Sequence, residues 1–238
     1  LSHFGMGLCY LYKTNKMKTM RLVALGFMLM MGVAAYAQKT ISEGTFTYDI
    51  LIKPKNNTAQ PTGNLNGAKT TIYIKGGLSR MDMVSALGAE TTIYNAKIGN
   101  AIILKEYSGQ KLMITLTSEN WQSKNKKFEG IVFENTAETK VIEGYNCKRA
   151  FAKLSDGSSI SVYYTPDLIV MNKEYSQAFK SLQGFPLEYE FTSDKLVFNY
   201  RISSIDFDPV PSSKFDFPKS GYRVMTYDEN KREQGKGQ

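Results

Sequence analysis

Runs in which apolar and polar side chains alternate cover most of the chain from residue 43 onward. In the first run, residues 43–54, Phe46, Tyr48, Ile50 and Ile52 occupy every second position. A period of two is that of a β-strand with one buried face. Similar short runs, separated by Gly, Asn or Pro, predict further strands at 69–75, 78–84, 90–95, 101–107, 111–117, 130–134, 139–142, 187–191 and 195–207. Such spacing is typical of an antiparallel meander in a sandwich or barrel.

Residues 143–166 carry the clearest hairpin pattern in the sequence. Asp156 and Gly157 separate two runs of strand character, and an Asp-Gly pair provides the positive φ angles of a tight turn. We predict that one face of the second strand is formed by Ile160, Val162 and Tyr164. One face of the first strand is predicted to consist of Tyr145, Cys147, Arg149, Phe151 and Lys153.

Two segments depart from the period of two. Ser118 is a candidate N-cap for a single helical turn that carries Trp121, the only tryptophan. Asn172 is a candidate cap for a second helix that ends before Gly184, with one apolar face formed by Tyr175, Ala178, Phe179 and Leu182. Residues 226–238 are charged and poor in apolar side chains, so we predict a disordered polar tail there.

Residues 17–37 have the three parts of a secretory signal peptide. Lys18 and Arg21 form a basic start, and residues 22–33 form an apolar centre that is short for a membrane span. Cleavage is expected at a small-residue site formed by Ala35, Ala37 and Gln38. An uncleaved membrane anchor is the alternative.

This leader defines the predicted organisation of the chain. Residues 1–16 are predicted to be a non-native upstream extension, and residues 38–225 a single β-rich domain. We predict a protein of the periplasm without a transmembrane anchor in its mature form, with secretion as the lesser possibility.

Charge does not favour a nucleic-acid partner. The formal net charge is +8, but four basic and no acidic residues lie within 1–37, which leaves 26 basic and 22 acidic residues after it. These lysines are interspersed with acids, whereas nucleic-acid-binding proteins usually cluster basic residues on one face. We therefore predict no nucleic-acid partner.

The sequence lacks most residues that catalysis would use. The only histidine, His3, precedes the predicted cleavage site, which removes histidine-based triads and histidine-bound metals. The phosphate-binding patterns GxxxxGK[ST] and GxGxxG are also missing. We predict no cofactor, no metal and no enzymatic activity. Two carboxylate pairs leave catalysis or cation binding open as alternatives to a solvated strand face: Glu188 with Glu190, and Asp206 with Asp208.

Sulfur-containing side chains offer two further candidates. Cys147 is the only cysteine after residue 37 and is predicted to be a small buried hydrophobic residue, with a reactive thiol or an intermolecular disulfide as alternatives. Met81 and Met83 share a predicted strand face, which suits either an adaptable apolar ligand surface or the filling of a core.

Four segments carry a resemblance to a known family: GYNCKRA, DGSSISVYYTPDL, NKEYSQAFKSLQGFPLEYEF and PVPSSKFDFPKSGY. In them the chain resembles exported Gram-negative bacterial proteins of unknown function. Those proteins are related in shape to the outer-membrane lipoprotein carriers and to the GLPGLI proteins. The signature segment LPGL is similar to residues 182–187, where Gln183 and Phe185 replace the expected Pro and Leu. The resemblance implies an incomplete antiparallel half-barrel around a helical lid, with an apolar cavity.

Pattern and resemblance together predict a mainly β fold: a curled antiparallel sheet, an incomplete barrel like that of the lipoprotein carriers, with one or two short helices on its concave face. We predict a non-enzymatic periplasmic protein that holds a lipid-like or other apolar group, such as an acyl chain, in this cavity. The alternative is an envelope structural or interaction protein with a filled core and a protein partner. The candidate cavity residues are Tyr48, Ile50, Ile72, Ile74, Met81, Met83, Leu112, Tyr175, Phe179 and Leu182.

The leader predicts a defined mature N-terminus. Expressed with residues 17–37 in a bacterium that has a periplasm, the protein is expected in the periplasmic fraction and to begin at Gln38, with or without cyclisation to pyroglutamate. Intact-mass spectrometry measures this directly. Ala37→Leu, which replaces the small residue that the peptidase requires, serves as an uncleaved control. Retention of residues 17–37 in the unsubstituted protein would contradict the prediction.

Overall fold

The computed structural model describes residues 38–55, 67–193 and 196–235. Of the predicted cleavage site, Gln38 is the first described residue, and Ala35 and Ala37 lie outside the described residues. The described strands are β1 (Lys39–Ile41), β2 (Glu43–Pro54), β3 (Ala68–Lys75), β4 (Leu78–Ser85), β5 (Gly88–Asn95), β6 (Asn100–Tyr107), β7 (Gln110–Leu116), β8 (Glu134–Ile142), β9 (Tyr145–Lys153), β10 (Ser159–Thr165), β11 (Leu168–Val170), β12 (Phe185–Thr192), β13 (Leu196–Asp206) and β14 (Arg223–Thr226). Two α-helices accompany them, α1 (Ser118–Asn125) and α2 (Tyr227–Gly235).

Twelve of the described strands form one sheet, in the order β14-β7-β6-β5-β4-β3-β2-β13-β12-β10-β9-β8. Its pairs are antiparallel except for β14 with β7. The two end strands, β14 and β8, do not pair with each other, so the sheet is not closed into a barrel. Strands β1 and β11 form a separate parallel pair. The prediction of a mainly β protein with a large antiparallel sheet, unclosed, and short helices is confirmed.

The inner face of the sheet is organised by the alternation in β2. Phe46, Tyr48, Ile50 and Ile52 are all buried, as the period of two requires. The first two belong to a core cluster with Ile72 and Ile74 of β3, and the other two to a smaller cluster with Ala68. Each such side chain contributes on the order of 1.5–3 kcal/mol through burial.

Strand β9 departs from the predicted single face. Cys147 is buried, but further along the strand Ala150 and Ala152 are buried while Phe151 is 36% exposed. Cys147 packs in the core cluster that contains Ile142, whereas Ala150 and Ala152 pack in the cluster that contains Ile160. Strand β9 pairs with β10 without a register shift, so residues of both of its faces are buried. In the partner strand β10 the residues of the predicted face are all buried: Ile160, Val162 and Tyr164.

Helix α1 confirms the predicted turn around Trp121, but it is capped one residue earlier. The Thr117 hydroxyl accepts a hydrogen bond from the Asn120 amide, and the Asn120 side chain accepts one from the Thr117 amide, both at 3.3 Å. This reciprocal arrangement is a capping box, so Ser118 is the first helical residue rather than the cap.

The helix predicted between Asn172 and Leu182 is wrong. Two short 3₁₀ turns, Lys173–Tyr175 and Gln177–Phe179, occupy the segment, and the extended backbone of Ser176 separates them. Tyr175 and Phe179 pack into different core clusters, and these tertiary contacts override the helical pattern. Gly184 therefore ends no helix; glycine is required there because a Cβ would lie 2.3 Å from the Thr165 carbonyl oxygen.

The predicted tail also differs from the structure, which has helix α2 over most of it. Thr226 and Glu229 form a second reciprocal cap: the Thr226 amide donates to the Glu229 carboxylate at 2.7 Å, and the Glu229 amide donates to the Thr226 hydroxyl at 3.3 Å. Within residues 38–55, 67–193 and 196–235, no helix has the length and apolar content needed to cross a membrane.

The burial of Cys147 generates a prediction about reactivity and stability. Its side chain is 1% exposed, and burial raises the pKa of the thiol to about 11. At pH 8 about one thiol in a thousand is ionised, and only the thiolate reacts. We expect slow native labelling by an aromatic disulfide reagent and complete labelling after unfolding. Cys147→Ser should lower the free energy of unfolding by about 1–3 kcal/mol, because a hydroxyl is buried.

Lys148→Cys in the Cys147→Ser background is the matched control, since position 148 is adjacent and exposed. It should label within the mixing time of the assay. Equally fast labelling of the native wild-type protein would contradict a buried Cys147.

Candidate functional site

A cavity of ≈ 300 Å³ lies between the inner face of the sheet and the segment that contains the two 3₁₀ turns. One wall consists of Thr70 on β3, Met81 and Met83 on β4, and Thr92 on β5. These residues lie opposite one another in the strand registers, Thr70 with Met83 and Met81 with Thr92, so they share one face. The period of two in these strands therefore aims a mixed methionine and threonine surface into the cavity.

The cavity exists because the sheet curls. Tyr94 on β5 and Ile160 on β10 both line it, although six strand spacings separate these strands in the sheet. In a flat sheet those spacings would put them about 29 Å apart at ~4.8 Å per strand. A curved sheet brings both ends of this span to the lining of one cavity.

Aromatic rings form the wall nearest β12 and β13. Tyr189 is central: its ring stacks on Tyr200 at 4.5 Å, meets Phe179 edge-on at 4.8 Å, and meets Tyr48 edge-on at 5.6 Å between centroids. Tyr189, Tyr200 and Phe179 line the cavity, whereas Tyr48 lies behind them. The 3₁₀ segment thus packs on the sheet through rings rather than through a helical face, and rigid apolar surfaces face the cavity.

This aromatic wall stays uncharged across the physiological pH range. Burial raises the pKa of Tyr189 and of Tyr175 well above the ordinary value for tyrosine, and burial also raises the pKa of Tyr200. The cause is the cost of placing a phenolate in a poorly solvated interior. The hydroxyls therefore offer neutral hydrogen-bonding groups and no negative charge.

Three of the residues that line the cavity carry charge: Arg80 on β4, Glu90 on β5 and Lys124 on α1. The Arg80 guanidinium donates to Asp82 at 2.8 Å. The Glu90 carboxylate lies 3.3 Å from the Lys105 ammonium. Two of the three charged lining residues are thus already paired.

A wider cleft of ≈ 1010 Å³ adjoins the cavity. The two share five lining residues, Tyr94, Trp121, Asn125, Phe128 and Gln177. Trp121 stacks on Tyr94 with the ring centroids 4.7 Å apart and the planes 17° apart. Its buried indole N–H has no hydrogen-bond partner among the described residues. The Trp121–Tyr94 pair thus borders both spaces.

The structure brings together four of the ten predicted cavity residues: Met81, Met83, Tyr175 and Phe179 all line the cavity. Five others are buried in core clusters beside it: Tyr48, Ile50, Ile72, Ile74 and Leu182. Leu112 packs in a separate cluster of β6 and β7 under α1.

Sequence reasoning did not select Tyr189, Tyr200 or Tyr94 for the cavity. Tyr189 lies in an alternating run, residues 187–191, so the strand signal was present. Its position opposite β4 and β5 depends on the curl of the sheet, which no local pattern reports.

The carboxylate pairs take part in structural interactions rather than in the cavity. Glu188 accepts hydrogen bonds from Lys140 at 2.9 Å through both oxygens, and Glu190 accepts one from Thr192 at 3.3 Å. Asp206 accepts a hydrogen bond from the Asp208 amide at 2.8 Å, which fixes a turn. In the part of the chain that the structure describes, no group of three His, Cys, Asp or Glu side chains could hold a metal ion.

The fold and the cavity define an open, curled antiparallel β protein with an internal space beneath a short 3₁₀ segment. The chain belongs to the DUF4412 family, a domain of unknown function whose family model matches residues 56–222. No curated protein matches the sequence.

Several solved structures are similar to the chain at low sequence identity. PNGF-II is 16% identical with a TM-score of 0.48, covering 81% of this chain and 33% of its own, so the chain spans about a third of PNGF-II. An uncharacterized conserved protein from Thermus thermophilus is 8% identical with a TM-score of 0.47, covering 78% and 90%. LprF from Mycobacterium bovis is 7% identical with a TM-score of 0.34, covering 71% and 88%.

Two tyrosines of this region should differ in their contribution to stability. The buried Tyr48 hydroxyl donates to the Pro186 carbonyl oxygen at 2.8 Å, so Tyr48→Phe leaves a buried acceptor unpaired and should cost about 1–3 kcal/mol. Tyr189 makes no side-chain hydrogen bond to a described residue, so Tyr189→Phe should change stability by less than about 0.5 kcal/mol. Urea unfolding measures both. Equal losses in the two variants would contradict this assignment.

Proposed function

We propose that the protein binds a lipid-like molecule, with an acyl chain or comparable apolar group held in the cavity between β3–β5 and the 3₁₀ segment. The observation that carries the proposal is a cavity of ≈ 300 Å³ between the inner face of the sheet and the 3₁₀ segment. Natural ligand pockets begin at about 300 Å³ and are lined mostly by apolar and aromatic side chains with a few polar groups. The lining of this cavity has that composition.

The wall chemistry supports an apolar ligand of adaptable shape. Met81 and Met83 have flexible, polarisable side chains that fit varied apolar surfaces. Phe179, Phe191 and Tyr189 oppose them with rigid rings. Because the tyrosines stay neutral, no phenolate has to be desolvated when an apolar group enters.

The volume of the cavity limits the size of the apolar group that it can hold. One water occupies ~30 Å³ of the liquid, so the cavity holds about ten water-sized groups. Ten methylenes at ~0.8 kcal/mol each would contribute on the order of 8 kcal/mol. This corresponds to a Kd of about 1 μM before the entropic costs of association, which weaken it. A medium-length acyl chain is therefore the expected guest.

The proposal also covers the location of the protein and its relation to other protein families. We place the binding protein in the periplasm on the strength of the leader pattern in residues 17–37. The relation to GLPGLI proteins and to the outer-membrane lipoprotein carriers stays a prediction from the four resembling segments. A non-enzymatic role fits a cavity in which Arg80 and Glu90 are already paired and from which both carboxylate pairs are absent.

An envelope interaction protein is the second candidate, favoured by the open edge of the sheet. Strand β8 has no partner on its outer side among the described residues, and its Val141 is 64% exposed. An added strand from another protein could pair there. The register shift within β8 disfavours the addition of a strand at this edge, and so do the charged side chains of Glu138 and Lys140. Ligand binding is therefore the first proposal.

Filling the cavity should abolish ligand binding. Met83→Trp adds a large ring to the lining, whereas Val84→Trp places the same residue one position further on, where the wild-type side chain is 55% exposed on the opposite face. We expect a dansyl-labelled C11 fatty acid to bind the wild-type protein and Val84→Trp saturably, and Met83→Trp at least tenfold more weakly. Fluorescence titration measures this, followed by competition with lipids extracted from the native envelope.

Circular dichroism and urea unfolding establish that both tryptophan variants remain folded. The absence of saturable binding to the wild-type protein would reject the binding proposal and favour the interaction protein. Equal loss of binding in both variants would place the ligand outside the cavity.

A further inference from the structure

We propose that the ligand is an anionic amphiphile whose carboxylate pairs with the ammonium of Lys124, beside the cavity. The inference rests on the proposed function and deepens it, because it names the chemical class of the head group as well as that of the chain. It begins with the position of Lys124, which lines the cavity from α1.

Local structure fixes Lys124 in this place. The capping box at Thr117 sets the start of α1, and Trp121 anchors the helix by stacking on Tyr94 of β5. Residues three apart lie on the same helical face, so Lys124 follows Trp121 along the cavity side of α1. The helix is thereby held on the sheet with Lys124 among the residues that line the cavity, and Lys124 is also exposed to solvent.

Lys124 differs from the other charged lining residues in its ion pairing. The other charged lining residues are satisfied: Arg80 bonds to Asp82, and Glu90 pairs with Lys105. The neighbouring Lys127 lies 3.5 Å from Asp156. Lys124 has no salt-bridge or hydrogen-bond partner for its ammonium among residues 38–55, 67–193 and 196–235. One cation at the cavity therefore lacks a counter-ion within the described chain.

The local field favours an anion beside Lys124. Desolvation lowers its pKa, Glu90 opposes this effect, and the nearby Lys105 and Lys127 add to it. Two ammonium groups and one carboxylate, which is already paired with Lys105, thus act on Lys124. A ligand carboxylate would restore the balance through a charge-assisted hydrogen bond, which is stronger than a neutral one.

The site has a charged part and an apolar part, as an anionic amphiphile has a carboxylate and an apolar chain. Glu90 lies directly opposite Met83 in the β4–β5 register, so the charged side adjoins the methionine wall. The rings of Tyr189, Tyr200 and Phe179 stand on β12, β13 and the 3₁₀ segment. A carboxylate at Lys124 therefore leaves the aromatic and methionine surfaces to the chain. A neutral alcohol of the same length would fill the same space without the ion pair.

The experiment compares decanoate with decan-1-ol as displacers of a neutral fluorescent probe, N-phenyl-1-naphthylamine, at pH 7.5. We expect decanoate to bind the wild-type protein roughly tenfold more tightly than the alcohol, the order expected for a hydrogen bond to a charged group. Lys124→Gln should remove this preference by weakening decanoate alone. Lys124→Arg should retain it.

Lys148→Gln is the matched control, because it makes the same charge change at an exposed lysine that does not line the cavity. It should leave both affinities unchanged. Equal affinity for the two displacers in the wild-type protein would overturn the inference and leave the proposed function standing. Equal weakening of both displacers in Lys124→Gln would also overturn it, by assigning Lys124 a structural role. Failure of the probe and both displacers to bind would overturn the proposed function itself.

Discussion

The structure depends on a splay between two neighbouring strands. Strands β12 and β13 pair only over Glu188–Thr192 and Val197–Arg201, so the first residues of β12 separate from β13. They pack on the inner face of β2 instead: the Phe185 ring lies 4.6 Å from that of Phe46, and the Pro186 carbonyl accepts the hydrogen bond of Tyr48. This non-ladder contact folds the sheet toward itself. Together with the 3₁₀ segment, whose Phe179 packs with Ile160 of β10, this contact gives the inner face of the sheet an opposing surface.

The same constraint explains why an internal space survives in the core. Close packing is achieved where β12 meets β2, since Phe46, Tyr48 and Phe185 are fully buried. Further along, β4 and β5 diverge from that contact and face the 3₁₀ segment. Two side chains, Tyr175 and Phe179, must then span a gap that a regular helix would have filled more evenly. The cavity is the space left between the curved sheet and the 3₁₀ segment, which is too short to cover the inner face of the sheet.

The alternating pattern predicted the strands well, because one buried face is a local property of sequence. It failed where tertiary contacts decide. Tyr175, Ala178, Phe179 and Leu182 fit a helical spacing, yet two rings drawn into separate clusters break the segment at Ser176. The polar composition of residues 226–238 predicted disorder, whereas the cap formed by Thr226 and Glu229 starts a helix there. Which residues line the cavity depends on the curl of the sheet. Spacing along the sequence therefore could not predict Tyr189 and Tyr200 as lining residues.

The 3₁₀ segment has a kinetic consequence for whatever occupies the cavity. Its backbone hydrogen bonds are all local, such as Tyr175 to Asn172 and Phe179 to Ser176, and none joins it to a strand of the sheet. Lifting this segment therefore separates two rings from their clusters but breaks no ladder between strands. Local opening of this kind has a lower free energy than global unfolding. Such local opening would widen access to the cavity while the twelve-stranded sheet stays intact.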